Sequence, residues 1–222
     1  TLSVSSAASD VYKRQSSNTA VGAEALEQNT TGANNVAVGY VSLDANTTGD
    51  NNTAVGKGSL HLNTTGSNNT AIGNMCMGSG GTTGSNNTAV GYYSLEDCTT
   101  GTVNNCIGFE AGRSLTTGSY NVAVGGEALE LGTTASSNVA VGHDALRNYT
   151  GNENVAIGLQ ALLTATTGYS NVAVGYQANR LLTTGDSNTS VGYKAMESTT
   201  TGTNNVAVGH QALKANTTYS NH

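Results

Sequence analysis

The chain has 222 residues, including 29 glycines, and it contains neither proline nor tryptophan; 36% of its residues are hydrophobic and 10% are charged. So few large apolar residues disfavour a compact domain built around one central core. The net charge of −6 disfavours nucleic acid and anionic membranes as partners, and no apolar run reaches the ~20 residues of a membrane-spanning helix.

The first residues of the chain do not share the pattern of the rest. The segment from Val4 to Gln15 resembles translated sequencing-adapter read-through, which occurs at the ends of assembled environmental sequences. We therefore interpret residues 1–15 as a non-native leader and exclude them from the fold. The alternative is a poorly ordered natural linker. Residues 16–222 are predicted to form one repeat array that is truncated at both ends.

Beyond the leader, the tripeptide Ala-Val-Gly or a close variant recurs at nearly constant spacing. Its glycines are Gly22, Gly39, Gly56, Gly73, Gly91, Gly108, Gly125, Gly142, Gly158, Gly175, Gly192 and Gly209. The step between consecutive glycines is 17, except for one step of 18 and one of 16. Thr-Thr-Gly usually follows, its glycine about ten residues further on. So strict a period indicates a solenoid and argues against a disordered chain.

A unit of this length is too short for a pair of helices. At about 3.3 Å per residue it allows two short strands joined by tight bends, stacked about 4.8 Å from the next unit. The sequence therefore predicts an all-β protein, a parallel β-solenoid of the β-roll type with about twelve 17-residue coils and two short strands per coil. The two irregular steps are expected at bends, where single insertions and deletions are tolerated.

An asparagine stands four residues before every repeat glycine. An inward or bend-facing asparagine can satisfy backbone groups at a turn and stack on its counterparts in neighbouring coils. We therefore predict a structural ladder along the solenoid. Its members are Asn18, Asn35, Asn52, Asn69, Asn87, Asn104, Asn121, Asn138, Asn154, Asn171, Asn188 and Asn205.

The strand Asn-Val-Ala-Val-Gly is apolar on both faces. Since alternate residues face opposite sides, Val36 and Val38 share one face and Ala37 lies on the other. A strand that is apolar on both faces is buried on both. We expect the valine face to fill the coil interior and the small alanine face to receive a second chain. The alternative is a monomer in which alanine is merely a small outward residue.

Charged residues repeat at a second position of the unit, five residues after the glycine. Glu96, Arg113, Glu130 and Arg147 alternate in sign there over consecutive coils. Stacked neighbours of opposite sign can pair, each exposed pair contributing roughly 0.2–1 kcal/mol. Further along, the same position holds Arg180, Glu197 and Lys214. The alternation predicts a charge ladder that supports the stacking.

Three carboxylates occupy the position two residues after the glycine in consecutive coils: Glu110, Glu127 and Asp144. At a spacing of about 4.8 Å they could bind a hard cation such as calcium. A solvated acidic patch is the simpler interpretation. The sequence predicts no other metal site, no cofactor and no catalytic residues, because the four histidines are too scattered for a triad or a shared ion.

Four tyrosines directly follow a repeat glycine: Tyr40, Tyr92, Tyr176 and Tyr193. Exposed tyrosine on a rigid rod is suited to contact glycans or protein partners. The alternative is that these are scattered surface residues.

The three cysteines, Cys76, Cys98 and Cys106, fall at three different repeat positions. They are interpreted as small buried residues, and an odd number cannot pair completely within the chain.

The segments Asn-Val-Ala-Val-Gly and Asn-Thr-Ala-Ile-Gly resemble the head repeats of YadA-like trimeric autotransporter adhesins. Arrays of Asn-Thr-Ala-Val-Gly with Asn-Thr-Thr-Gly are also similar to those of phage tail-fibre-like proteins. The resemblance covers residues 16–222 and implies a left-handed parallel β-roll, a homotrimer and a role in surface attachment. The familiar head repeat is shorter, because here Thr-Thr-Gly extends the second half of the coil. No neck motif, heptad stalk or membrane anchor is visible.

Three functions follow from these observations. The first is a structural and adhesive fibre segment, extracellular, at a cell surface or on a virion tail fibre, with a host glycan or matrix protein as partner. The second is an ice-binding solenoid, suggested by the Thr-Thr columns, although adjacent threonines face opposite sides and leave one outward threonine per coil. The third and least favoured is a solenoid enzyme that processes polysaccharides, for which clustered acids and bases are missing.

Overall fold

The computed structural model describes residues 17–215 and 217–221, so the predicted leader 1–15 lies outside the described residues. One three-residue strand recurs in each coil. The strands are β1 Thr19–Val21, β2 Val36–Val38, β3 Thr53–Val55, β4 Thr70–Ile72, β5 Thr88–Val90, β6 Asn105–Ile107, β7 Val122–Val124, β8 Val139–Val141, β9 Val155–Ile157, β10 Val172–Val174, β11 Thr189–Val191 and β12 Val206–Val208. They form one parallel sheet in sequence order. The predicted parallel β-solenoid, with one coil for each sequence repeat, is confirmed.

Each strand pairs with the same three positions of the next coil. Val36 lies opposite Thr53, one regular repeat further along the chain. Thr70 lies opposite Thr88, an offset of 18, and Val139 lies opposite Val155, an offset of 16. Because the strand register survives both irregular steps, the extra and the missing residue are accommodated outside the strands, as the sequence predicts.

The second half of each coil differs from its prediction. In the described residues it consists of turns and bends, apart from an isolated bridge between Ser136 and Asn152. Alternate residues there have left-handed backbone, such as Leu129 at φ 53°, and this conformation turns the chain instead of extending it. Backbone hydrogen bonds still join the coils: the amide of Leu43 donates to the carbonyl of Ser59 at 2.9 Å. The second strand was thus wrongly predicted, but the stacking continues through this half.

The solenoid interior is filled from one side by the strand alanines and from the other by leucines of the turns. Ala37 and Leu43 of the second coil are both fully buried, with 0% exposure. Val36 and Val38 lie outside and are only partly covered. The predicted orientation, with valine inside and alanine outside, is therefore wrong. A close-packed interior that already contains a leucine or methionine from most coils leaves the strand room for a small side chain.

A third left-handed position lies directly before each buried asparagine. Asn51 holds it at φ 57°, whereas Val103 holds it at φ 58° and is 38% exposed. Asparagine tolerates left-handed backbone better than a β-branched residue. We expect Val103→Asn to raise the free energy of unfolding by about 1 kcal/mol in urea denaturation. The reciprocal Asn51→Val should lower it by a similar amount, and no change in either variant would contradict the prediction.

Candidate functional site

The asparagine before each strand belongs to a buried ladder that runs along the rod. Asn104 Oδ1 accepts a hydrogen bond from the backbone amide of Asn121 at 3.1 Å and another from its side-chain amide at 3.0 Å. Asn104 Nδ2 donates to the carbonyl of Gly118 at 2.9 Å. The backbone contact recurs from Asn18 at one end to Asn205 at the other. The ladder asparagines thereby tie the start of a strand to a bend, in most coils at a glycine, and to the neighbouring coil.

A second asparagine ladder occupies the first three coils. It was not predicted from the sequence, because other residues hold this position in later coils. Asn46 donates to Asn29 at 2.9 Å, and Asn63 donates to Asn46 at 2.8 Å. All three side chains are buried. The signal in the sequence is the asparagine directly before Thr-Thr-Gly. Leu115 and Leu182 fill the same interior position further along, so the asparagines do not continue through the whole column.

The outer strand face consists of the first and third residues of every strand, which flank the central residue, alanine in most strands. Its first column is threonine or valine, with Asn105 as the exception, and its second column is valine or isoleucine. None of these residues is charged. Ile72, Ile107 and Ile157 are 42%, 43% and 39% exposed. In the described chain this face is a continuous uncharged stripe that is open to a partner.

Aromatic rings form two stacks beside the outer strand face. Tyr92 stacks on Phe109, with ring centroids 5.7 Å apart and an interplanar angle of 5°. Tyr176 stacks on Tyr193 at 5.3 Å, and Tyr193 stacks on His210 at 5.0 Å. Neighbouring rings therefore cover each other's faces.

The structure thus brings two of the predicted contact tyrosines together and places the others apart. Tyr176 and Tyr193 are direct neighbours, whereas Tyr92 belongs to the other stack and Tyr40 lies on the second coil. All four are exposed. Because stacked rings present their edges, the surface they offer is a row of ring edges and hydroxyl groups.

The alternating charges form ion pairs between neighbouring coils. Arg113 Nε lies 3.0 Å from Glu96 Oε2, and Arg147 Nε lies 2.6 Å from Glu130 Oε2. The hydrogen bond to Glu96 raises the pKa of Arg113, and the one to Glu130 raises the pKa of Arg147. Both arginines are partly exposed, so each pair contributes little to stability but favours the observed register.

A third group of charges surrounds Glu197. Its carboxylate lies 3.1 Å from Lys194 Nζ, 3.5 Å from Lys214 Nζ and 3.8 Å from Arg180 Nε. Burial raises the pKa of Glu197, but hydrogen bonds and the charges of Lys194 and Lys214 outweigh it, so the net pKa is lowered. Lys194 belongs to the same coil as Glu197, Arg180 to the coil before and Lys214 to the coil after.

Each of the three stacked carboxylates has an arginine as neighbour, Arg113 for Glu110 and Arg147 for Glu127 and Asp144. Glu110 Oε2 lies 3.4 Å from Arg113 Nη1, and Glu127 Oε2 lies 2.9 Å from Arg147 Nη2. Asp144 is buried, and its Oδ2 lies 3.1 Å from Nδ1 of His143. These residues therefore do not form the unpaired acidic row that the sequence suggested for calcium.

The first threonine of most Thr-Thr pairs is used in hydrogen bonds between neighbouring coils. The hydroxyl of Thr47 donates to the carbonyl of Thr64 at 2.9 Å, and the hydroxyl of Thr116 donates to the carbonyl of Thr133 at 2.9 Å. The second threonine of the pair, such as Thr48, is exposed. Each of these coils therefore exposes one threonine of the pair to solvent, and these exposed threonines form a single column along the solenoid.

The cysteines are free and buried. Burial raises the pKa of Cys76 and of Cys98 to about 12. Burial also raises the pKa of the Cys106 thiol. Thiols of this kind stay protonated near neutral pH and react slowly. They fill the interior as small residues, in agreement with the sequence analysis.

Comparison with protein-family models, curated proteins and solved structures finds no match to this chain. Within residues 17–215 and 217–221, no helix has the length and apolar character needed to cross a membrane.

Proposed function

We propose that the chain is a structural and adhesive segment of an extracellular fibre, the head or shaft of a surface adhesin or of a phage-tail-fibre-like protein. It acts through its surface and not through catalysis. The observation that supports this most strongly is the outer strand face, which repeats one uncharged pair of side chains on coil after coil. Ladders inside the rod hold this face in a fixed geometry.

In the proposed fibre three copies of the chain associate through their outer strand faces. This replaces the alanine face as the contact surface, because Ala37 and its counterparts are buried inside the coil. Removing the exposed valine and isoleucine side chains from water would stabilise the assembly by roughly 25 cal/mol per Å² of apolar area. The absence of charge on the face means that no ion has to be desolvated without a partner.

The oligomeric mass of the full chain tests the assembly. We expect light scattering after size exclusion to give the mass of a trimer. The double variant Ile107→Lys with Ile157→Lys should be monomeric, because it buries charge in the contact. The control pair Thr117→Lys with Thr167→Lys adds the same charge at exposed threonines and should remain trimeric. A monomeric wild-type chain would contradict the proposed assembly.

The adhesive role has its own test, a binding screen of the same sample against a glycan array and matrix proteins. The stack of Tyr176 and Tyr193 supports this role, because both rings present hydroxyl-bearing edges on a rigid surface. Binding that is lost in Tyr176→Ala with Tyr193→Ala and retained in Tyr40→Ala would assign the contact to the stack. Absence of binding to every ligand would contradict adhesion through this segment.

Ice binding is a second candidate, supported by one region of the outer strand face. Thr53, Thr70 and Thr88 follow one another on consecutive coils in the first column. They stand beside the apolar second column, so this part of the face is flat and carries regularly spaced hydroxyl and methyl groups. Thermal hysteresis of the purified chain tests it, and a monomer without hysteresis would exclude both assembly through this face and ice binding.

A further inference from the structure

Three potential metal ligands converge where the coils of β7 and β8 stack. Glu127 follows β7, and His143 and Asp144 follow β8. One ligand atom from each of the three side chains lies within 4.8 Å of the other two. The sequence-based patch placed Glu110 in this group, but the structure pairs Glu110 with Arg113 and brings His143 in instead.

The carboxylate of Asp144 provides an independent observation. The residue is only 7% exposed, and its Oδ1 has no hydrogen-bond partner. The closest ion-pair contact of Oδ1 is Nη1 of Arg147 at 3.8 Å. The same guanidinium contacts Glu127 at 2.9 Å, so Oδ1 and the Glu127 carboxylate lie beside the same side chain. A buried carboxylate oxygen without a hydrogen bond is unfavourable, and a bound cation would satisfy it.

A chain of side-chain amides holds Asp144 from the opposite side. Gln160 Nε2 donates to Asp144 Oδ2 at 3.3 Å. Gln177 Nε2 donates in turn to Gln160 Oε1 at 2.8 Å. Contacts of this kind orient a ligand and reduce the freedom that it loses on binding a metal. Asp144 is therefore positioned before any ion arrives.

We propose that Glu127, His143 and Asp144 bind a divalent first-row transition metal ion of the zinc type. An imidazole with two carboxylates is a mixed nitrogen and oxygen ligand set, which zinc accepts and which calcium, with its preference for oxygen, does not favour. Two ligands of a tetrahedral ion are about 3.4 Å apart at bond lengths of about 2.1 Å. Rotation of the exposed His143 side chain and of Glu127 can close the present separation to that value.

Arg147 is the residue that competes with the ion. Its Nη2 contacts Glu127, but its Nε is bound to Glu130 at 2.6 Å. The guanidinium can stay on Glu130 while Glu127 turns to the metal beside Asp144. Its positive charge nonetheless opposes binding. Removing that charge in Arg147→Gln should therefore tighten zinc binding, by about tenfold.

Isothermal titration of the metal-free full chain with zinc chloride tests the site. We expect one zinc ion per chain, with affinity reduced about 10–100-fold in both His143→Ala and Asp144→Asn. His210→Ala is the matched control, because His210 occupies the same repeat position but stacks on Tyr193. It should bind zinc as the wild type does, and far-UV circular dichroism should show that each variant is folded.

The proposal would be overturned by the absence of zinc binding at micromolar to millimolar concentration, by equal affinity of wild type and His143→Ala, or by an equal loss in His210→Ala. Tighter binding of calcium than of zinc in a parallel titration would also overturn it. None of these readouts depends on the oligomeric state or on adhesion, so the site can be tested separately from the proposed function.

Discussion

Replacing Gly108 with alanine is expected to lower the free energy of unfolding by about 3–5 kcal/mol. Gly108 has a φ of +142°, a region that L side chains rarely adopt. A Cβ atom at this position would also overlap the carbonyl oxygen of Gly125 in the next coil. The backbone cannot move aside, because the same contact recurs at the repeat glycines on both sides. Urea denaturation followed by circular dichroism measures the loss.

Gly81→Ala is the control that separates the two causes. Gly81 also has a positive φ, +62°, but an added Cβ would meet nothing within 4 Å. This substitution should cost only about 1 kcal/mol, which is the conformational penalty alone. If both variants lost the same stability, the close approach of the coils at the repeat glycines would not be the main reason for glycine there.

Substituting Asn104 with alanine is the second large effect that we expect, about 3–5 kcal/mol. The change leaves two buried groups without their partner, the backbone amide of Asn121 and the carbonyl of Gly118. The hydrogen bond from the Asn104 backbone amide to Asn87 Oδ1 does not involve the removed side chain and survives. The cost therefore comes mainly from the two unsatisfied groups and from the cavity.

The neighbouring asparagine supplies a matched control for this substitution. Asn105 is the first residue of β6 and points outward, with an exposed side chain. Asn105→Ala should change stability by less than about 0.5 kcal/mol. Hydrogen exchange gives a local readout, because the amide of Asn121 should lose protection in Asn104→Ala only. Similar behaviour of the two variants would show that the ladder does not hold the coils in register.

The period of the sequence was sufficient to predict the solenoid, whereas the orientation of its strands was not predictable. Alternation shows that Val36 and Val38 share a face and that Ala37 lies opposite, but it does not say which face is inside. Hydrophobicity favours valine for the interior. The interior is instead limited by the large side chain that most turns contribute, Leu43 in this coil, and only a small side chain fits beside it.

The turns in the second half of each coil were predicted as a strand for a different reason. Leucine has no preference for left-handed backbone, yet Leu129 and Leu146 both have φ 53°. Their conformation results from stacking on equivalent residues and from hydrogen bonds to the neighbouring coils, which a local pattern does not report. A propensity-based analysis therefore assigns a strand to a segment that tertiary contacts bend into turns.

The members of the candidate metal site were also not predictable from the sequence, because side-chain directions decide them. Column position alone groups Glu110 with Glu127 and Asp144, because all three stand two residues after a glycine. The partner of each carboxylate depends on side-chain direction, and Glu110 pairs with Arg113, three residues further along the same coil. His143 occupies an adjacent column, so only the three-dimensional arrangement reveals that its ring lies beside Asp144.

The near-constant offset between hydrogen-bonded residues has a consequence for how such a molecule changes over generations. Asn ladder contacts join residues 17 positions apart along most of the rod, and offsets of 16 and 18 are accommodated. Duplicating or deleting the coding sequence of one repeat therefore creates no new kind of contact. It changes the length of the solenoid by about 4.8 Å. Length can therefore change in discrete steps without altering which side chains each coil presents at the surface.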